Sequence, residues 1–128
     1  MVDFNTPDNL HYQESDEWLL IAGDQGTIGI TDYAQDQLND IVFVELPEVG
    51  ESFGKGEAFG TVESVKAAAD LQMPVAGEVV AVNEALEDTP ETINADPFGE
   101  GWIIKIKVTG DVEGLMDAAG YAAFCENR

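Results

Sequence analysis

Few side chains in this sequence could do covalent chemistry. It has one cysteine, Cys125, and one histidine, His11. One cysteine forms no internal disulfide, and one histidine with one cysteine makes no metal cluster. No Ser/His/Asp arrangement and no phosphate-type glycine loop is present. The acids of Asp96 to Glu100 around Gly99 do not have the spacing of an EF-hand calcium loop. The lysines remain: Lys55, Lys66, Lys105 and Lys107. Lys105 and Lys107 fall on the polar face of a strand pattern, and Lys55 sits between Gly54 and Gly56 in an expected turn. Lys66 is different. It follows Thr61-Val62-Glu63-Ser64-Val65 and precedes Ala67-Ala68-Ala69-Asp70. One strand runs up to it and another leaves after it, which puts it near a hairpin tip on a rigid scaffold. Such a lysine suits a swinging arm. An acyl group on Nζ lengthens the reach, removes the charge and lets the arm lie along an apolar cleft. Small neighbours leave room for a modifying enzyme. Spacing alone favours an ordinary solvated turn lysine and does not show a carrier.

The elements that hold Lys66 can be read from the pattern. Residues 1–10 read as a loose arm. Trp18 to Ala22 and Thr27 to Ile30 flank Gly23-Asp24-Gln25-Gly26, a hairpin signal. Thr31-Asp32 can cap a short helix to about Asn39. Ile41 to Val44 reads as a strand ending before Pro47. From there to Asn83, short strands and glycine turns predict a small sandwich or barrel. Asn83 to Leu86 and Glu91 to Ala95 suit single helical turns. Trp102 to Val108 alternates as a half-buried strand. The segment from about 112 to 126 reads as one or two helices interrupted at Gly114 and Gly120, with Cys125 in its packing face. His11 is expected to be exposed and without a role. An internal repeat relates Leu46-Pro47-Glu48-Val49-Gly50-Glu51 to Met73-Pro74-Val75-Ala76-Gly77-Glu78. It predicts two similar β halves, and Lys66 lies between the copies.

The chain has 128 residues, which suits one domain spanning 1–128. Its 26 acids against 5 bases give a formal net charge of -21. A field of that sign repels phosphates and anionic lipid, so nucleic acid and membrane surfaces are poor partners, and it can steer basic proteins inward. Solubility alone would also account for it. No apolar run approaches the roughly 20 residues of a membrane span. The acidic start, Met1 to Leu10, does not read as a signal or transit peptide. A cytoplasmic protein is expected, or a mature mitochondrial one whose leader is absent.

Glu63-Ser64-Val65-Lys66-Ala67-Ala68 resembles the lipoylation motif of glycine cleavage H proteins. The likeness extends to Gly29-Ile30-Thr31-Asp32-Tyr33-Ala34-Gln35-Asp36, to Val42 through Gly50, to Pro74 through Asn83, and to Pro97, Gly99, Gly101 and Trp102. These five segments, in order, span roughly residues 12 to 126. The resemblance implies a mainly β fold, a lipoyl/biotinyl-type β sandwich (barrel-sandwich hybrid), with short helices after the N-terminal hairpin and at the C-terminus. It implies a monomeric carrier subunit, not an enzyme, with lipoate in amide linkage on Lys66. Its implied partners are a pyridoxal-phosphate glycine decarboxylase, a tetrahydrofolate-dependent aminomethyltransferase, dihydrolipoamide dehydrogenase and a lipoate-attaching enzyme. It also implies that Glu63 is read during lipoylation, with Ser64, Val65 and Ala67 completing the motif. Glu17 and Asp70 would line a cleft holding the cationic end of the loaded arm. Two departures stand out. Asp16 replaces a histidine common in the family, and Ala69 a serine, so roles of that imidazole and hydroxyl do not carry over. A lipoyl relay to other enzymes, or a β binding domain without cofactor, are the competing functions. Acyltransferase lipoyl domains and biotin carriers fit less well, because their attachment motifs read Asp-Lys-Ala and Met-Lys-Met.

Overall fold

In a computed structural model of the chain, residues 4–127 are described. Strands β1 (His11–Tyr12), β2 (Glu17–Ala22) and β3 (Gln25–Ile30) form an antiparallel N-terminal meander. Ala22 faces Gln25, so Gly23-Asp24 is a two-residue turn, and Gly23 supplies its positive φ of 65°. Helix α1 (Asp32–Leu38) starts as expected at Thr31, whose hydroxyl accepts from the Ala34 N–H at 3.1 Å. It stops at Asn39, which turns to φ 64°.

Next come β4 (Ile41–Glu45), β5 (Ser52–Phe53), β6 (Ala58–Ser64), β7 (Ala68–Gln72) and β8 (Gly77–Val82). Two helical turns, α2 (Ala85–Asp88) and α3 (Thr92–Ala95), lead to β9 (Ile104–Val108) and helix α4 (Ala118–Glu126). One sheet has the order β1-β2-β3-β9-β8-β5 and the other β4-β6-β7. Leu19, Ile28, Val79, Ile104 and Ile106 of the larger sheet pack with Val44, Val62 and Leu71 of the smaller in one buried cluster.

Without the N-terminal meander, each sheet would keep three strands, and the internal repeat explains why. Its copies are the two crossings between sheets, from β4 to β5 and from β7 to β8. The crossings meet: Ser52 faces Glu78, Phe53 faces Gly77, and the Gly50 N–H donates to Val79 O at 2.8 Å. Gly77 is required there, because a Cβ would lie 2.8 Å from Lys107 O and 2.7 Å from Ile106 Cδ1.

Three expectations need correction. Of the arm at 1–10, residues 1–3 lie outside the described residues, and the rest is fastened down. The Asn5 N–H donates to Asp32 Oδ2, Phe4 meets Tyr33 edge-on, and Leu10 is buried. The C-terminal helix begins only at Ala118, capped by Asp117. Residues 111–117 before it form no helix: Met116 bridges to Tyr12 and Gly114 takes φ 75°. Ile103 is buried, although an alternating strand from Trp102 would put it on the polar face of Lys105 and Lys107, because β9 begins only at Ile104. A second cluster joins α4 to the meander through Tyr12, Trp18 and Tyr121, with the two tyrosine rings stacked at 4.7 Å. Among the described residues, no helix is long and apolar enough to cross a membrane.

Candidate functional site

Strands β6 and β7 form a hairpin in which Glu63 faces Ala68, so residues 64–67 make the tip. Ser64 fixes it. Its Oγ accepts from Lys66 N at 3.1 Å and Ala67 N at 3.0 Å, and donates to Ala67 O at 3.1 Å. The Ser64 N–H also donates to Ala67 O at 2.7 Å. One short side chain thus replaces the backbone partners that a wide turn leaves open. A further bond, from Val65 N–H to Asp40 O at 3.1 Å, fastens the tip to the residue before β4. Lys66 is exposed, as are Val65, Ala67 and Ala68 around it. Its Nζ donates to Gln37 O at 3.3 Å, in the last turn of α1, where a cation is favoured.

Glu63 is exposed on the outer face of the small sheet, beside Phe43 of β4. Asp70 lies on the same face, opposite Thr61, and lines a groove of about 310 Å³ with Glu45, Phe53 and Phe59. Glu17 is elsewhere and only 1% exposed. Its Oε1 accepts from Gln13 Nε2 at 2.8 Å and, in a very short bond, from Ser15 Oγ. Its Oε2 accepts from the Gln72 N–H at 3.1 Å. Burial pushes the Glu17 carboxyl above the usual range, and the three donors offset this only in part.

The two acids expected in one cleft therefore adjoin separate depressions. A cavity of about 450 Å³ is lined by Gln13, Glu14, Ser15, Lys55, Gln72, Gly114 and Leu115. Three of these are the partners of Glu17, which itself lies beneath them. Strand β7 links the places: Asp70 is two residues before Gln72, and Gln72 lies six residues, roughly 20 Å of extended chain, beyond Lys66. Sequence reasoning missed Ser15, Gln13 and Lys55 as lining residues, and also the stapling role of Ser64. Only the alternation Gln13, Ser15, Glu17 hinted at the first two.

A two-sheet β sandwich that presents one lysine on a stapled hairpin tip has the architecture of a lipoyl-type carrier domain. The family model described as "Glycine cleavage H-protein" matches residues 10–128. A glycine cleavage system H protein of Chromohalobacter salexigens is 56% identical over 120 residues, covering 91% of this chain and 92% of that one. One from Thermus thermophilus is 54% identical over 124 residues, covering 95% and 97%. The crystal structure of a glycine cleavage system H protein from Mycobacterium marinum superposes with a TM-score of 0.89 at 41% identity, over 94% of this chain and 98% of that one. The chain belongs to the glycine cleavage H-protein family.

Proposed function

We propose that this protein is the lipoyl-carrying shuttle of a glycine cleavage system, with lipoate held in amide linkage on Lys66 Nζ. The stapled tip is the observation that carries this reading. Lys66 is exposed, its backbone is fixed by Ser64, and the alanines beside it leave space for an enzyme to reach Nζ. Those features fit an amide-linked arm. Attached lipoate would supply a reducible disulfide able to take up and release an aminomethyl unit.

The chain's own residues attach, guide and shelter. Glu63 stands three residues before the lysine on an exposed face, where an attaching enzyme can read it. Acylation removes the Lys66 charge and so weakens its hold on Gln37 O. The outer face of β7 then offers a track past Asp70 to the cavity lined by Ser15 and Gln72. Ser15 and Gln13 present polar atoms there, backed by the Glu17 carboxylate. A cationic amine at that place would favour the ionised form of Glu17 and pair with it once Ser15 or Gln13 turned aside. The partners would be the pyridoxal-phosphate decarboxylase that loads the arm, the folate-dependent aminomethyltransferase that unloads it, and dihydrolipoamide dehydrogenase.

The test is loading. Lipoylated protein incubated with glycine and the decarboxylase should gain an aminomethyl group on the arm and release carbon dioxide. Lipoylated protein that is never loaded would contradict the shuttle and favour the relay. Replacing Glu17 with Ala should shorten the lifetime of the loaded form; an unchanged lifetime would remove Glu17 from the site.

A further inference from the structure

Strand β4 carries an irregularity next to the lysine. Ile41 faces Ser64 and Phe43 faces Glu63, so Val42 is an extra residue with no partner on β6. Ile41 and Val44 both point into the core. With the bulge between them, Val42 and Phe43 both turn outward, 53% and 49% exposed. Val65, beside the lysine, is 71% exposed. Regular alternation would have buried one of the two β4 side chains. The bulge instead spends apolar surface outside, and bulges commonly re-aim side chains beside functional sites.

The three side chains belong to one neighbourhood. Phe43 pairs with Glu63, and the Val65 N–H is bonded to Asp40 O, two residues before Val42. The surrounding exposed charges are acids: Asp36, Asp40, Glu45 and Glu63. Among the described residues, the other cations are elsewhere. Lys55 lines the cavity beyond β7, and Lys105 and Lys107 are on β9 of the other sheet.

We infer that the Val42–Phe43–Val65 patch is the docking surface for the enzyme that acylates Lys66, which meets it with an apolar cleft rimmed by lysine or arginine. Charge complementarity sets the rim, and the patch has the aromatic-centred, acid-edged form of a small interface. Position selects this enzyme. It must reach Lys66 Nζ while the amine still rests on Gln37 O, and so must cover the residues beside it. Enzymes acting on the far end of the arm would meet the cavity roughly 20 Å along β7 instead. The inference rests on lipoylation of Lys66.

The experiment uses full-length unmodified protein, a lipoate–protein ligase, lipoate and ATP, with the modified mass as readout. Val42→Ser and Phe43→Ser should each lower kcat/KM by about tenfold, mainly through KM. The Asp40→Asn, Glu45→Gln double variant should raise KM and flatten its dependence on salt. Val49→Ser and Val80→Ser, at exposed valines elsewhere, should behave as wild type. Circular dichroism should show every variant folded. Once lipoylated to completion, Phe43→Ser should be loaded by the decarboxylase at the wild-type rate. Wild type left unmodified would overturn the lipoyl reading itself. Wild type modified normally, with Phe43→Ser and Val42→Ser equally fast, would overturn the docking surface alone. So would a defect confined to decarboxylase loading, or a wild-type dimer that Phe43→Ser dissociates.

Discussion

Replacing Tyr121 with Phe should destabilise the fold through a hydroxyl relay that joins α4 to the site-bearing half of the molecule. The Ala34 N–H donates to Thr31 Oγ, the Thr31 hydroxyl donates to Tyr121 at 2.7 Å, and the Tyr121 hydroxyl donates to Asp16 Oδ1 at 2.8 Å. Thr31 and Tyr121 are both fully buried. Burial also pushes the Tyr121 phenol well above the usual range, so it stays a donor. Asp16 is held at φ 77°, in the left-handed region, between Ser15 and Glu17. Phenylalanine keeps the ring stack on Tyr12 but removes the relay's middle atom. The buried Thr31 hydroxyl loses its acceptor, at about 1 kcal/mol, and the half-buried Asp16 carboxylate loses a charge-assisted bond that water partly replaces, at about 1 kcal/mol more, so the total is about 2 kcal/mol. At about 2.1 cal/mol/K per residue, the unfolding entropy of the 128-residue chain is about 270 cal/mol/K, which makes the expected fall in Tm roughly 7 °C. Thermal unfolding followed by circular dichroism reads this directly. Asp16→Asn keeps an acceptor and tolerates positive φ, so it should cost less than Tyr121→Phe. A Tm for Tyr121→Phe within 2 °C of wild type would refute the reasoning, since water would then be satisfying both ends.

Ser64→Ala should slow lipoylation several-fold while lowering stability by only about 1 kcal/mol, because water can replace the lost bonds at an exposed tip; equal modification rates would show that the staple does not prepare the lysine. Glu17→Gln should change how stability depends on pH. A carboxyl raised by burial contributes stability that is present below its unfolded pKa, about 4.3, and lost as pH rises through its folded value. Urea midpoints from pH 8 down to about 4.3 should therefore show wild type gaining on the variant as pH falls, and a constant difference over that whole range would contradict the raised carboxyl. Gly60→Ala should destabilise strongly, because the new Cβ would lie 2.4 Å from Glu45 O of β4; an unaltered urea midpoint would mean that β4 and β6 can separate freely.

The lysine was legible because its context is local. A strand pattern on each side and small residues after it specify a hairpin tip without knowledge of the rest of the chain. Thr31 was legible for the same reason, since capping is a matter of three or four residues. Glu17 was expected as a cleft acid open to the arm, and the structure buries it. Its burial follows from Gln13, Ser15 and Gln72 closing over it, and Gln72 is 55 residues away in sequence. The outward pair Val42 and Phe43 was equally hidden. An apolar run of Ile41 to Val44 gives no sign of a bulge, which exists only relative to β6. The helix expected from residue 112 failed because composition cannot register the long-range bridge from Met116 to Tyr12.

The most direct test of the account is the intact mass of the protein made in a host supplied with lipoate and its attaching enzymes, beside a Lys66→Arg variant made the same way. The account predicts a gain of one lipoyl group on the wild type and none on the variant. A wild type without the gain, or a variant that keeps it, would contradict Lys66 as the attachment site.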